Sequence, residues 1–274
     1  MRLKIKVEDR IPTYPGRVVL KPVSGTENTY DMTRADLPVN PGTPINKVLF
    51  DSKADRVTED VTVYVSSSGN DVTGTGEILN PFKTIQVAID AIPKNLDGHT
   101  VTIEMEARKY SENIVCKGFT GGTLKLGSRA RAFEIEGSIL IDTCSVVELN
   151  ASQISGVSGN SVTAMVHATN GSIVIIPNDM YIYANSVQQA SGMQASYGSL
   201  ISFGLNTELT VDNCYSGAVV STSGSKICLW DVGGRGNTFG LTTTLGGTIT
   251  YDSSTLESDF GDTEQDGGRI FTNL

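Results

Sequence analysis

The sequence has little tryptophan, little histidine, fewer basic than acidic residues and no long apolar run. One tryptophan and two histidines occur among 274 residues, and 21 basic residues face 30 acidic ones, for a net charge of −9. A negative chain has no positive field to hold a phosphate backbone, so no nucleic-acid partner is expected. No segment approaches the ~18 consecutive apolar residues of a membrane span, so no membrane insertion is expected.

Recognisable metal and cofactor motifs are also missing. The four cysteines lack the paired spacing of a zinc or redox site. The glycines at 233, 234 and 236 are not followed by the Gly-Lys-Ser/Thr of a phosphate-binding loop. Neither His99 nor His167 has a neighbour in sequence that suggests a metal site or a triad. We therefore predict no cofactor, no metal and four buried free thiols: Cys116, Cys144, Cys214 and Cys228.

Proline and glycine are unevenly distributed. The first sixty residues hold six of the nine prolines and three of the 29 glycines, with ten basic and nine acidic residues. We place a boundary near residue 58 and interpret residues 1–58 as an irregular, extended segment that docks on another surface, because each proline removes a backbone donor. Within it, residues 17–23 predict a short strand, and residues 45–57 are compatible with one or two helical turns.

Residues 59–96 predict a strand and one helix. The alternation from Val61 to Val65 is followed by a turn-rich stretch of serine, glycine and asparagine. Apolar residues then recur at three- and four-residue spacing from Pro81 to Ile92, and Pro93 ends the pattern. This is the one amphipathic helix that the sequence predicts.

Residues 97–251 carry only short, β-branched, alternating runs. A Gly-Ser or Gly-Gly pair restarts the pattern at positions 137, 171, 198, 224 and 246. The intervals between these pairs match the length of a supersecondary unit that stacks on the next one. We therefore predict an all-β parallel solenoid of about eight coils. The helix before it is placed to cap the open end of the stack. An antiparallel β-sandwich is the alternative.

The C-terminal stretch, residues 252–274, is acidic. It has six acidic residues and one basic residue, and its spacing departs from that of an EF-hand. We interpret it as a solvated acidic tail or a strand-exchanging terminus.

Two motifs resemble known families. Residues 63–76, VYVSSSGNDVTGTG, with residues 80–90, NPFKTIQVAID, resemble the start of the right-handed parallel β-helix of pectin-lyase-like proteins, a fold of many bacteriophage tailspikes and tail fibres. This resemblance implies that the helix is the N-terminal cap. Residues 12–24, 30–36 and 42–47 resemble the opening of tail or baseplate proteins of phages and prophages of Gram-positive bacteria.

Together the two resemblances cover residues 10 to about 95 and imply a function. They imply a virion protein whose residues 1–58 attach to other tail or baseplate proteins, while the β-helix projects outward and binds the host surface polysaccharide. They also imply a homotrimer located in the virion. Residues 1–12 include basic residues but no apolar stretch behind them, so we expect no signal peptide and synthesis in the host cytoplasm. The alternatives are a polysaccharide depolymerase, either lyase or glycosidase, and a purely structural fibre shaft.

Candidate site residues are few. Asp142 and Asp212 each follow an apolar run and closely precede a cysteine. This repeated pattern predicts that the two aspartates lie on the same side of the solenoid, about three turns apart. With Asp231 they are the candidates for catalysis, although an aspartate at a coil corner more often binds nearby backbone donors. For glycan binding the candidates are Trp230, Asp231 and Arg235, because a sugar can stack on the indole. Tyr181, Tyr183 and Tyr215 are further aromatic candidates.

Overall fold

A computed structural model describes residues 56–127, 133–156, 162–184 and 190–272, together with four short strands nearer the N-terminus. The chain divides into two compact units, residues 2–55 and 56–274. In the first unit, β1 (Ile11–Pro12) pairs with β4 (Pro38–Asn40), and β2 (Val18–Pro22) pairs with β3 (Tyr30–Arg34), both antiparallel. The predicted strand at residues 17–23 is therefore confirmed. The helical turns predicted for residues 45–57 lie almost entirely outside the described residues.

The second unit consists of three parallel sheets. Sheet 1 contains β7 (Lys109–Tyr110), β10 (Phe133–Glu136), β13 (Ala151–Ser155), β16 (Met180–Tyr183), β19 (Glu208–Asp212), β22 (Asp231–Asn237) and β25 (Ser253–Ser258). Sheet 2 contains β8 (Ile114–Lys117), β11 (Ile139–Asp142), β14 (Ala164–Thr169), β17 (Ser191–Ala195), β20 (Gly217–Thr222), β23 (Leu241–Thr244) and β26 (Thr263–Glu264). Sheet 3 contains β5 (Val61–Val65), β6 (Thr100–Met105), β9 (Thr123–Leu126), β12 (Val146–Leu149), β15 (Ile173–Ile176), β18 (Leu200–Phe203), β21 (Lys226–Cys228), β24 (Thr248–Tyr251) and β27 (Arg269–Thr272).

Successive strands along the chain pass from sheet 1 to sheet 2 to sheet 3, so that one coil contributes one strand to each sheet. The predicted parallel β-helix is confirmed, and the antiparallel sandwich is wrong, because every described pairing within the three sheets is parallel. The solenoid makes about six turns rather than the eight predicted. The number is smaller because several coils are longer than the prediction assumed: register partners are 27 positions apart from Val147 to Val174 and 29 positions apart from Tyr181 to Thr210.

The core is built from stacked rows of inward side chains. Strands such as β6 and β9 alternate buried and half-buried positions, as period-2 geometry requires. Residues in register between coils share one face, so apolar residues lie above one another through the stack. In sheet 3 one such row is fully buried from β6 to β24, with the half-buried Val61 and Ile270 at its two ends: Val101, Leu124, Val147, Val174, Ile201, Ile227 and Ile249.

The helix α1 (Ile85–Ala91) covers the first coil. It starts later than predicted, because Pro81 and Phe82 are still extended and the Phe82 amide donates to the Tyr64 carbonyl. Its buried face contacts β5, β6 and β8, as expected of a cap. A carboxylate satisfies the amides at its start, since Glu112 accepts from the amides of Ile85 and Gln86, each at 3.0 Å. The described residues hold no helix long and apolar enough to cross a membrane.

Buried serines explain the repeated Gly-Ser pairs. The Ser172 Oγ accepts from the Cys144 amide of the preceding coil at 3.1 Å, and the Ser199 Oγ accepts from the Ser172 amide at 3.2 Å. The Ser225 Oγ continues this serine ladder by accepting from the Ser199 amide at 3.1 Å. Each serine follows a tight corner at which two consecutive residues have positive φ: Asn170–Gly171, Tyr197–Gly198 and Ser223–Gly224.

The acidic C-terminal stretch is part of the solenoid and not a tail. Residues 253–272 form β25, β26 and β27, which pair in parallel with β22, β23 and β24. The prediction was wrong because an acidic composition does not exclude a paired backbone. In this last coil the acidic side chains occupy exposed positions on strands whose backbones pair with the coil before.

Candidate functional site

Two tyrosines stand side by side on the outer surface of sheet 1. Tyr181 and Tyr183 alternate with the buried Ile182 on β16, so both side chains point outward and are half-buried. Their ring centroids are 6.4 Å apart and their planes differ by 16°. The outer face of the solenoid thus carries a pair of nearly parallel aromatic rings.

Asp212 links this pair to the next coils. It lies in register with Tyr183, one strand along sheet 1. The Tyr181 hydroxyl donates to the Asp212 Oδ2 at 2.8 Å, and the Arg235 amide donates to the Oδ1 at 2.7 Å. Burial, together with the hydrogen bond to Asp212, raises the pKa of Tyr181 to about 12. The phenol therefore stays protonated at neutral pH and holds the carboxylate beside the rings.

A buried glycine, called the glycine step below, lies in the outward row beside this group. Gly233 is in register with Thr210, which is itself in register with Tyr181, and it carries no side chain of its own. A Cβ at Gly233 would lie 2.7 Å from the Thr255 Oγ1 and 3.4 Å from the Glu208 Oε1, so glycine lets these two side chains lie close to the strand. Glu208 borders this glycine step together with Asp231, because the two carboxylates are in register with each other.

The following glycines shape a bulge and not a phosphate-binding loop. The regular pairing of β22 with its neighbour is interrupted between Gly234 and Asn237. Gly234 has a φ of 132°, and a Cβ there would overlap the Val211 carbonyl oxygen. This bulge carries the Arg235 amide to the Asp212 carboxylate and leaves the Arg235 side chain exposed. Only glycine permits that backbone path.

The residues predicted for glycan binding lie on or next to one strand but do not converge. Trp230 is half-buried at the corner before β22, where its carbonyl accepts from the Asp252 and Ser253 amides. Asp231 accepts from the Ser253 hydroxyl at 2.5 Å. Arg235 lies beyond the bulge, further along the strand than Asp231. The structure therefore places Asp231 and the tyrosines near the glycine step, Arg235 beyond the bulge, and Trp230 at the corner before β22.

Asp142 and Asp212 do not stack, contrary to the sequence-based expectation. Asp142 ends β11 of sheet 2, whereas Asp212 ends β19 of sheet 1. Asp142 is fully engaged: it accepts from the Asn170 Nδ2 and the Thr143 Oγ1, each at 2.8 Å, and pairs with the Lys117 Nζ at 2.9 Å. These contacts, the Asn170 hydrogen bond foremost, lower its pKa to about 2. A carboxyl held ionised in this way fastens a coil corner and does not donate a proton.

His167 has a partner that the sequence did not indicate. Its Nε2 lies 2.8 Å from the Ser196 Oγ, which in turn donates to the Thr169 Oγ1 at 3.1 Å. A serine beside a histidine is the start of a nucleophilic site. Here, however, Ser196 is only 2% exposed, so its oxygen is closed to a substrate. Burial lowers the pKa of His167, and the neutral ring belongs to a stack of hydroxyl groups on sheet 2.

The remaining titratable groups of the described residues show no further constellation. Cys116, Cys144 and Cys214 are buried, as predicted, but Cys228 is half-exposed on the outer face of sheet 3. Within the described ranges, no three histidine, cysteine or acidic residues are grouped to hold a metal ion.

Sequence reasoning missed Glu208, Thr210 and the glycine step. The alternation of Tyr181 and Tyr183 was visible, but their neighbours Thr210 and Gly233 come from the next two coils of the chain. Comparison with family models, curated proteins and solved structures finds no match for this chain. The geometry of the outer face of sheet 1 is therefore what identifies the candidate site.

Proposed function

We propose that this chain is a phage tail or baseplate protein that binds a glycan on the host surface through the outer face of sheet 1. The tyrosine pair is the observation that carries the binding role. Two aromatic rings, with a carboxylate oxygen 2.8 Å from the Tyr181 hydroxyl, form a surface on which sugar rings can stack while hydroxyls are hydrogen-bonded. The motifs at residues 12–24 and 63–90 support the phage assignment.

The proposed assembly follows from the same motifs. Residues 1–58 would attach the chain to other tail or baseplate proteins of the virion, and the solenoid would be the exposed part of a homotrimer. Light scattering tests the assembly. A mass of three chains supports the trimer, whereas a stable monomer at micromolar concentration rejects it.

Binding to host cells tests the function itself. We expect the purified protein to bind cells of the phage host, and we expect the double variant Tyr181→Ala/Tyr183→Ala to lose about tenfold or more in affinity, since each ring contributes stacking area. Tyr197→Ala is the matched control, because Tyr197 is exposed at a corner between sheets 2 and 3. Equal loss in both variants, or no loss in either, would contradict the proposal.

The same assay separates binding from catalysis. Incubation with purified wall polysaccharide is expected to leave the polymer length unchanged, because the one aspartate among the tyrosines is held by two donors and the serine next to His167 is closed to substrate. New reducing ends or unsaturated sugars would establish the depolymerase instead.

A further inference from the structure

The outer face of sheet 1 is rich in carboxylates. It carries five of them between β10 and β22: Glu134, Glu136, Glu208, Asp212 and Asp231. Two basic residues also belong to this sheet: Lys109 on β7 is in register with Glu134, and Arg235 on β22 is near enough for its charge to act on Tyr181. Among the residues that the structure describes, none of the five carboxylates forms an ion pair. The face therefore has a negative field, in keeping with a net charge of −9.

The aromatic pair adds a second attraction for positive charge. The face of a tyrosine ring attracts a cation that lies within about 6 Å of its centroid. With centroids 6.4 Å apart and planes within 16° of each other, one cation above the pair can lie within that range of both rings. Asp212 is fixed beside Tyr181 by their hydrogen bond and supplies the counter-charge to that cation.

The glycine step extends the face toward more carboxylates. Thr210 and Gly233 continue the row of Tyr181 over two coils, about 10 Å at the usual strand spacing. Glu208 and Asp231 lie along one side of that row. Among the described residues, a polymer lying along it would meet aromatic rings first and carboxylates next, with the cation Arg235 on the same strand as Gly233.

We propose that this face is selective for a glycan that bears ammonium groups, such as an amino sugar without its acetyl group or a choline substituent, and that it rejects polyanionic polymers. This inference rests on the proposed binding function and gives its ligand a charge. A neutral glycan would gain only the stacking, and a polyanion would be repelled by five carboxylates.

Calorimetric titration with matched oligosaccharides tests this selectivity. The probes are glucosamine oligomers, N-acetylglucosamine oligomers of the same length, choline chloride and polygalacturonate. We expect the glucosamine oligomers to bind about tenfold more tightly than the acetylated ones, with affinity falling as salt rises, and polygalacturonate not to bind. Comparing choline with glucosamine oligomers shows which source of the ammonium group is bound. Binding of either probe, together with the effects of the variants described below, supports the proposal.

Variants locate the effect. Asp212→Asn keeps the size of the side chain and is expected to reduce binding of the ammonium probe about tenfold, as is Tyr181→Ala/Tyr183→Ala. Glu77→Gln removes one negative charge from the exposed turn that leads to α1 and is expected to have no effect. Circular dichroism melting verifies that each variant is folded.

Three results would overturn the inference. They are equal binding of amine and acetylated oligomers, preferential binding of polygalacturonate, and loss of binding in Glu77→Gln equal to that in Asp212→Asn. The first two results would reject only the selectivity for ammonium groups, provided that the protein still binds cells through the tyrosines. Failure of cell binding would instead reject the proposed function itself.

Discussion

The four thiols differ in their surroundings. Burial raises the pKa of Cys116 and of Cys144, and it raises the pKa of Cys214 to about 12, so these three remain protonated and enclosed. Cys228 lies in an outward row between Ser202 and Thr250, where reagents can reach it. Because only a thiolate reacts, both exposure and the raised pKa of the other three favour reaction at Cys228.

Thiol titration checks this difference. With Ellman's reagent we expect one thiol to react in the folded protein and four after denaturation. The variant Cys228→Ser should leave no rapidly reacting thiol in the folded state. If two or more thiols react at the same rate without denaturant, the described burial of the other three is wrong.

Asp142 makes stability depend on pH in the acid range. Its folded pKa of about 2 lies below the ordinary 3.8, so its contribution is fully present above 3.8 and is lost as the pH falls toward 2. The variant Asp142→Asn should be less stable by about 1–3 kcal/mol at neutral pH, and this difference should shrink as the pH falls through that interval. Chemical denaturation at several pH values measures it.

Lys117→Ala serves as the comparison for that variant. The Lys117 side chain is 70% exposed, so its ion pair with Asp142 is screened by solvent and the change should be small. A loss as large as that of Asp142→Asn would mean that the ion pair, and not the Asn170 and Thr143 hydrogen bonds, carries the effect.

At the scale of the element, the serine ladder joins one coil to the next. In Ser172→Ala the buried Cys144 amide loses its acceptor and the Thr169 carbonyl loses the 2.6 Å bond from the Ser172 hydroxyl. An unsatisfied buried group costs about 1–3 kcal/mol, so we expect that loss in the free energy of unfolding. Ser202→Ala, on the outer face of sheet 3, is the matched control and should change stability little. Equal stability of the two variants would contradict the ladder.

The sequence predicted elements well because their patterns are local. Three of the Gly-Ser pairs marked corners of one kind, since a left-handed turn followed by a small buried side chain recurs at Ser172, Ser199 and Ser225. Thr84 accepts from the Val87 amide and fixes the helix start, which the position of Pro81 had placed too early.

The site was less predictable because it depends on register between coils. Asp142 and Asp212 share a local motif but lie on different sheets, since coils of unequal length do not divide a fixed sequence interval into whole turns. Glu208 meets Asp231, and Thr210 meets Gly233, only through pairings between coils. No periodicity within a short window contains that information.

At the scale of the whole solenoid, the two ends are closed by different means. Helix α1 covers the first coil with apolar side chains. Toward the other end the inward row of sheet 2 becomes polar: Ile141, Ala168, Ala195, Ser221, Thr243 and finally Glu264. The Glu264 Oε1 accepts from the Ile270 amide at 2.6 Å, and its Oε2 lies 3.8 Å from the Arg269 Nη1. The buried row thus ends in a carboxylate that is itself exposed in the last coil.

A charge at the end of this row protects an open strand edge. Within the described residues, β25, β26 and β27 end their sheets, so their outer backbone groups have no further strand beside them. Such edges pair with other chains unless a charge makes that pairing costly. Glu264 would lose its hydration if a second solenoid end stacked on it, and the acidic residues of the same coil would repel their copies.

Replacing that charge should therefore create end-to-end association. Glu264→Leu puts an apolar side chain where the buried row ends, and burying a leucine is worth about 1.5–3 kcal/mol, or about tenfold or more in an association constant. Light scattering over a range of concentrations should show multiples of the wild-type mass for Glu264→Leu. Glu257→Leu, which adds the same side chain at an exposed position of β25 in the same coil, should keep the wild-type mass. If both variants associate equally, general surface hydrophobicity explains the result. If neither variant associates, backbone geometry rather than Glu264 prevents end-to-end association.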